Sequence, residues 1–284
     1  MTAANLVRLV ALAAIWGASF LFVRLAVPSV GAPWLAEFRV GIAGMAMLAF
    51  ALATGAKLAP RRHWRTYLMM GLVNCALPFW LYAYAGLHLN AGTMGILNAT
   101  TPFFSVVCGA IWLGERITPH KLGGLALGLL GVALVVGLGP LEPTRDVVLG
   151  SLACVGATLC YALSTTWLKK LGGGASPVPL SAASLCVAAL AIAPFLPAAP
   201  AAAAFTPLVL SAIAGLSLLC SAVAFLLYFR LIADLGPTRA MTVAFLIPLF
   251  AVLWGSVFLG EELGVGTFVG GLLILVAVAL VVRR

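Results

Sequence analysis

The chain has 284 residues, of which 64% are hydrophobic and only 8% charged, with a mean hydropathy of +1.18. So little polar surface cannot cover a soluble globule of this length, and lipid must be its main solvent. The net charge of +9 is no nucleic-acid footprint either, because the cations fall between apolar runs and gather at one membrane face.

A bilayer core of roughly 30 Å takes about 20 apolar helical residues. Charge-poor runs of that length divide the chain into ten spans, at 6–27, 34–54, 66–87, 91–113, 119–138, 147–168, 178–196, 207–229, 241–259 and 264–282. The fold class is therefore an all-α membrane protein. Backbone groups in hydrocarbon must be satisfied within each segment, which Leu-, Ala- and Gly-rich runs do as helices rather than barrel strands.

The first span carries Trp16 and Ser19 at mid-depth and Arg24 near its far end. It lacks a basic leader and an Ala-x-Ala-like exit, so it is expected to stay as an anchor and not be cleaved as a signal peptide. The second holds Glu37 and Arg39. Of seven acidic residues only Glu37 lies clearly inside a span, which makes it the leading candidate for ion coupling. Arg39 and Arg24 nearby equally suit a structural ion pair with it.

The third and fourth spans share a pattern. Asn74 precedes Pro78 by four residues, and Asn98 precedes Pro102 by four. Proline cannot donate to the carbonyl four residues back, so each pattern leaves an Asn carbonyl free beside an Asn amide. Such groups should face protein or a wet cavity, as in the broken helices of transporters. A kinked helix whose Asn bridges to a neighbour is the other outcome. Trp80, Tyr82, Thr100 and Thr101 lie at similar depth.

Glycines 123, 124, 128 and 131 give the fifth span a surface for close helix packing. Mid-depth polar groups return with Tyr161 and Ser164 in the sixth span, Ser221 and Tyr228 in the eighth, and Thr242 and Trp254 in the ninth. There Pro248 frees the carbonyl of Ala244. All six cysteines fall inside spans, without a Cys-x-x-Cys or a His spaced for a metal, and are expected to be small apolar packers.

The chain is built twice. Residues 72–136 align with 218–282 at one ungapped offset of 146, and the stretch 98–136 matches 244–282 at 15 of 39 positions. A composition this biased gives about 4 by chance. The halves divide at 1–138 and 139–284. Arg8, Lys57, Arg61, Arg62, Arg65, Arg116, Lys121, Lys169, Lys170, Arg230, Arg239, Arg283 and Arg284 fall on one side, and Arg24, Arg39 and Arg145 on the other. This split of 13 to 3 puts both termini in the cytoplasm.

Five spans per half is an odd number, so the second half enters the membrane from the opposite face and the repeats are inverted. Exchange of conformations between inverted halves is the construction behind alternating access. Glu115 and Glu261 are equivalent in the repeat yet lie on opposite faces. Each is either a carboxylate favoured by a helix N-terminus or a gate. Tyr82 and Tyr228 also correspond, and either stack on opposite sides of a substrate or are buried tyrosines each fixed by one hydrogen bond.

Nucleotide-binding Gly-x-x-x-x-Gly-Lys-Ser/Thr, His-Glu-x-x-His and Gly-x-Ser-x-Gly motifs are all absent, which excludes ATP-driven pumping by this chain alone and gives membrane hydrolysis no constellation. No cofactor or nucleic acid is implied. The expected partners are lipid and a small-molecule substrate, with no oligomer specified.

Four segments carry a family resemblance: Trp16-Gly17-Ala18-Ser19-Phe20, the start of the second span at Arg39, the stretch from Asn98 to Pro102, and the Gly114-Glu115-Arg116 turn before a Gly-rich helix. Pro248, Gly260-Glu261 and Gly270-Gly271 supply the second copy. In their order and duplication the sequence resembles the ten-span EamA-domain exporters of the drug/metabolite transporter superfamily, over essentially its whole length. The resemblance implies a bacterial inner-membrane secondary carrier exporting amino acids, related metabolites or toxic compounds. It also implies a cavity lined by spans 1, 3, 4, 6, 8 and 9. An aromatic, carboxylate-poor midplane favours neutral or aromatic amino acids. A multidrug or nucleotide-sugar-type carrier on the same scaffold and a passive channel are the competing expectations. Cys220 opposite Asn74 and Ala244 opposite Asn98 make the site chemically asymmetric.

Overall fold

A computed structural model describes residues 2–138, 141–142, 144–171, 174–196, 205–236, 240, 242–262 and 264–282. Arg239, Met241, Arg283 and Arg284, which enter the charge count and the ninth span, lie outside these. The described residues form helices and no strand. In chain order they are α1 (Ala3–Val30), α2 (Ala32–Ala53), α3 (Pro60–Ala85), α4 (Ala91–Leu113), α5 (Pro119–Gly137), α6 (Arg145–Leu171), α7 (Pro177–Ile192), α8 (Pro207–Leu235), α9 (Val243–Leu259) and α10 (Val265–Val282).

Eight helices are long and apolar enough to cross a membrane, and α9 and α10 are apolar but shorter. Leu129, Leu190, Val265 and Phe268 are among the many large apolar side chains on the outside, as lipid solvent requires. The chain is thus a multi-pass membrane protein.

Local chemistry sets the helix ends. Proline occupies the first turn of α2, α3, α5, α7 and α8, where its missing N–H is no loss. Pro60 starts α3 six residues before the apolar run, so Arg61, Arg62 and Arg65 are helical rather than loop. α8 likewise runs past the expected end at residue 229, carrying the Arg230–Asp234 pair one turn apart at 3.3 Å. Gly114 and Gly260 close α4 and α9 in the left-handed conformation, with φ of 68° and 63°.

Two helices contain π segments, Met70–Ala76 in α3 and Gly215–Val223 in α8, which correspond under the 146-residue offset. Pro78 follows the first, but the second has Ala224 at that position, so proline is not what widens the turn. α4 is broken at Ala99 and Thr100. There the carbonyl of Asn98, freed by Pro102, accepts the Thr101 hydroxyl at 2.8 Å. By contrast α9 runs through Pro248 without a break.

Packing follows a paired pattern. α5 lies along α10, where Gly131 meets the Gly270 carbonyl and Gly270 meets that of Gly131. α2 lies along α7, with Gly44 against the backbone of Leu185 and Cys186. α1 packs on α9 as α6 packs on α4, and α3 packs on α6 as α8 packs on α1. Gly128, against the Phe103 ring, and Gly131 thus have the packing role expected of them, whereas Gly123 is exposed with open space beside it.

Two ends of the bundle are tied differently. At one, Arg8 donates to Asp234 at 2.8 Å and Lys169 to Glu115 at 2.6 Å. At the other, Arg24 donates to the Gly86 carbonyl at 3.0 Å, and the Glu261 carboxylate accepts the Ala91 N–H at 2.8 Å.

Candidate functional site

Between the two ends lies a cavity of about 280 Å³, walled by α1, α3, α4, α6, α8 and α9, with one residue from α2. Of the residues singled out in the sequence, Trp16, Ser19, Asn74, Tyr82, Asn98, Thr101, Pro102, Tyr161 and Tyr228 line it. The asymmetric pairs are all present too: Asn74 with Cys220 and Asn98 with Ala244 face the same space.

The cavity is aromatic. Trp16 lies 5.2 Å from Tyr228, Phe20 5.5 Å from Tyr82, and Tyr82 6.2 Å from Tyr161 between ring centroids. Tyr82 and Tyr228 both contribute, but each has its own aromatic neighbour and they differ in burial: Tyr82 is buried and Tyr228 only partly. At the Glu261 end the lining residues Val23, Phe20 and Tyr82 are buried. At the Arg8 end Thr165 is exposed and Tyr228, Thr101 and Ala244 are partly exposed. The cavity is therefore closed at one end and open at the other.

The polar groups are fixed by defined partners. The Tyr82 hydroxyl donates to Asn98 Oδ1 at 2.7 Å, and the Ser164 hydroxyl donates to Asn74 Oδ1 at 2.8 Å. Both amide oxygens are consumed within the protein. Ser164 is thus a support for Asn74 and does not itself line the cavity.

Arg39 enters the site in a way the sequence does not suggest. It is 8% exposed, lines the cavity, donates from Nε to Ser221 Oγ at 3.1 Å, and sits 3.7 Å over the Phe79 ring. Ser221 is accordingly its partner and not a lining residue. The ion pair expected with Glu37 does not form among the described residues: Glu37 makes no salt bridge, and Arg24 is 3.6 Å from Glu261 instead. Residues two apart on a helix point to different faces, which is why Glu37 and Arg39 part company. Arg39 lies in phase with Leu35, Ala43 and Met47 on the buried face of α2, and that periodicity is legible in the sequence.

The remaining candidates lie elsewhere. Pro78 is buried in α3 beside the cavity wall, and Thr242 is exposed ahead of α9. Pro248 faces a second cavity of about 240 Å³, lined by apolar side chains and Thr267. Glu115 and Glu261 lie at opposite ends of the bundle, away from both cavities. Beside Lys169 the Glu115 carboxyl titrates below its ordinary range, first through the hydrogen bond and then through the charge. Glu261 caps α4 through Ala91 and Gly92, a helix distant in sequence rather than the one that follows it. Phe79, Phe225 and Ile247 line the cavity without having been candidates, since apolar residues in a span carry no signal of which face they occupy.

The model of the EamA-like transporter family matches the chain twice, over residues 5–137 and 148–283. The chain is 28% identical to the transporter YvbV of Bacillus subtilis, over 87% of its own length and 81% of that protein. It is 22% identical to a transporter of Archaeoglobus fulgidus over 95% of each. A probable terminal-alkyne amino-acid exporter of Streptantibioticus cattleyicolor is 27% identical over 44% of this chain and 42% of its own. One crystal structure shares the fold at a TM-score of 0.66 and 18% identity, covering 99% of this chain and 96% of that one. Its sequence matched twice by one family model, and its relatives transporters along nearly their full length, the chain belongs to the EamA-like transporter family of the drug/metabolite transporter superfamily.

Proposed function

We propose that the protein is a secondary carrier that exports amino acids, neutral or aromatic ones first, or related small metabolites across a bacterial inner membrane by alternating access. The observation that carries this reading is the cavity of about 280 Å³ between related helices, closed at the Glu261 end and open at the Arg8 end. A passive channel needs a path through both ends at once; a carrier needs one end shut.

The same proposal takes the chain as ten spans in two inverted five-helix repeats, 1–138 and 139–284, with both termini and the Arg8 end cytoplasmic. Supporting it are the matched π segments, the reciprocal packing of α1 on α9 and α6 on α4, and the lining of one cavity by both members of the equivalent pairs Asn74 with Cys220 and Asn98 with Ala244. The positive-inside split supports the orientation.

Size and lining favour the substrate class. Ligand pockets commonly run about 300–1,000 Å³, and this one, at about 280 Å³, suits an amino acid better than a nucleotide sugar. The exporter of Streptantibioticus cattleyicolor, named for an amino-acid cargo, points the same way. Counterflow in proteoliposomes against amino acids, drugs and nucleotide sugars, with and without a pH gradient, tests the reading. Saturable exchange of a neutral amino acid is expected; absence of exchange for every solute in both conditions would sink it.

A further inference from the structure

We infer that Arg39 is the anion-binding element of the cavity and that it takes the carboxylate of the transported solute. The inference rests on the carrier reading only in treating the cavity as the solute site.

A guanidinium in a membrane interior is costly, and a buried one is ordinarily paired with a carboxylate. Arg39 is 8% exposed and has no carboxylate within ion-pairing distance among the described residues. Glu261 is taken up by Arg24 and the N-terminus of α4, and none of the chain's acidic residues lines the cavity. What holds Arg39 is neutral: Ser221 accepts from Nε, and Phe79 lies under the guanidinium. A guanidinium has five donors in a planar fork, and Ser221 engages one of them. The two terminal nitrogens make no protein hydrogen bond among the described residues. They belong to a side chain that faces the cavity.

The neighbouring amides point to the same ligand. Asn98 Oδ1 is occupied by Tyr82, and Asn74 Oδ1 by Ser164. The Asn98 amide N–H₂ has no partner among the described residues, and that of Asn74 reaches only Cys75 Sγ at 4.0 Å, so both residues bring N–H donors to the cavity. A site with one unpaired cation, surplus donors and no carboxylate is complementary to an acceptor-only group, and a carboxylate matches the bidentate fork. Trp16, Tyr161 and Tyr228 also line the cavity, and aromatic walls suit an ammonium or an apolar side chain. Together these describe an α-amino acid, held by its carboxylate.

Four probes of one size separate the charges: L-phenylalanine, phenylacetate, L-phenylalaninamide and phenethylamine. Thermal unfolding of the purified full-length protein is followed as each is titrated in. The two carboxylates should stabilise the wild-type protein at lower concentration than the amide or the amine. Arg39→Gln should weaken both carboxylates roughly tenfold or more and leave the other two unchanged. Arg39→Lys should fall between, since it keeps the charge and loses the fork. If Arg39→Gln does not fold, the wild-type ranking and Arg39→Lys decide. The inference is overturned if no carboxylate stabilises the wild-type protein, if the probes lacking one bind better, or if an Arg39 variant weakens all four equally. Carboxylate stabilisation without counterflow would sink the carrier reading and leave this one standing; counterflow of amines alone would do the reverse.

Discussion

Asn98 does three things: its side chain accepts from Tyr82, its carbonyl accepts from Thr101, and its amide N–H₂ is left for the cavity. Asn98→Ala removes the first and orphans a buried tyrosine hydroxyl, a loss of about 1–3 kcal/mol. The expected outcome is a lower thermal midpoint together with impaired counterflow. Leu129→Ala, at a side chain 71% exposed toward lipid, should leave transport unchanged; equal activity in both variants would count against the site. The Asn-x-x-x-Pro spacing is legible because proline chemistry is local. Arg39 is harder, because its role depends on which helix face meets Ser221 and Phe79, more than 180 and exactly 40 positions away, and a two-residue neighbour such as Glu37 looks like a partner until the helix turns it aside.

Among the elements, the glycine seam between α5 and α10 and the ion pair between α4 and α6 respond to different tests. Gly131 has the Gly270 backbone and Ile274 against it, whereas Gly137 has open space. Gly131→Leu should force the two helices apart and lower the thermal midpoint well beyond Gly137→Leu, by the 1–3 kcal/mol or so typical of overpacking. Glu115 and Lys169 are both substantially exposed, so their pair is worth at most about 1 kcal/mol after solvent screening. The folded-state pKa of Glu115 is depressed. Its contribution is therefore fully present above the ordinary carboxylate range and disappears only as pH falls through the lowered value. Lys169→Gln should therefore lower stability at neutral pH slightly, by at most about 1 kcal/mol, and the difference from the parent should vanish once pH falls below the lowered value. Helix existence was legible, since each apolar run is helical among the described residues, the fourth with a break at Ala99 and Thr100. The π segments were not: the turn in α8 has no proline to announce it, and its Ser217 and Ser221 bond to Phe38 and Arg39 of α2, residues far away in the chain.

For the molecule as a whole, the sequence shows two related halves, and the structure shows them in different contacts at opposite ends. Glu261 reaches across to cap α4 and lies 3.6 Å from Arg24, at the closed end. Its repeat equivalent Glu115 points instead to Lys169, beside the open end. A carrier that alternates must release the Glu261 contacts to open the other way, so weakening them should populate that state. Hydrogen bonds to a charged group are worth about 1.5–3 kcal/mol, and about 1.4 kcal/mol is tenfold in a population. Glu261→Gln keeps the shape and removes the charge. A cysteine placed at Val23, buried at the closed end of the cavity, reports the outcome in a background with Cys186, the partly exposed native thiol, replaced by serine. In the parent protein Val23→Cys should resist a membrane-impermeant maleimide added from outside, while Thr165→Cys should react from the cytoplasmic side. Adding Glu261→Gln should speed outside labelling of Val23→Cys by roughly tenfold. Unchanged labelling would mean that the Glu261 cap holds α4 without holding the gate.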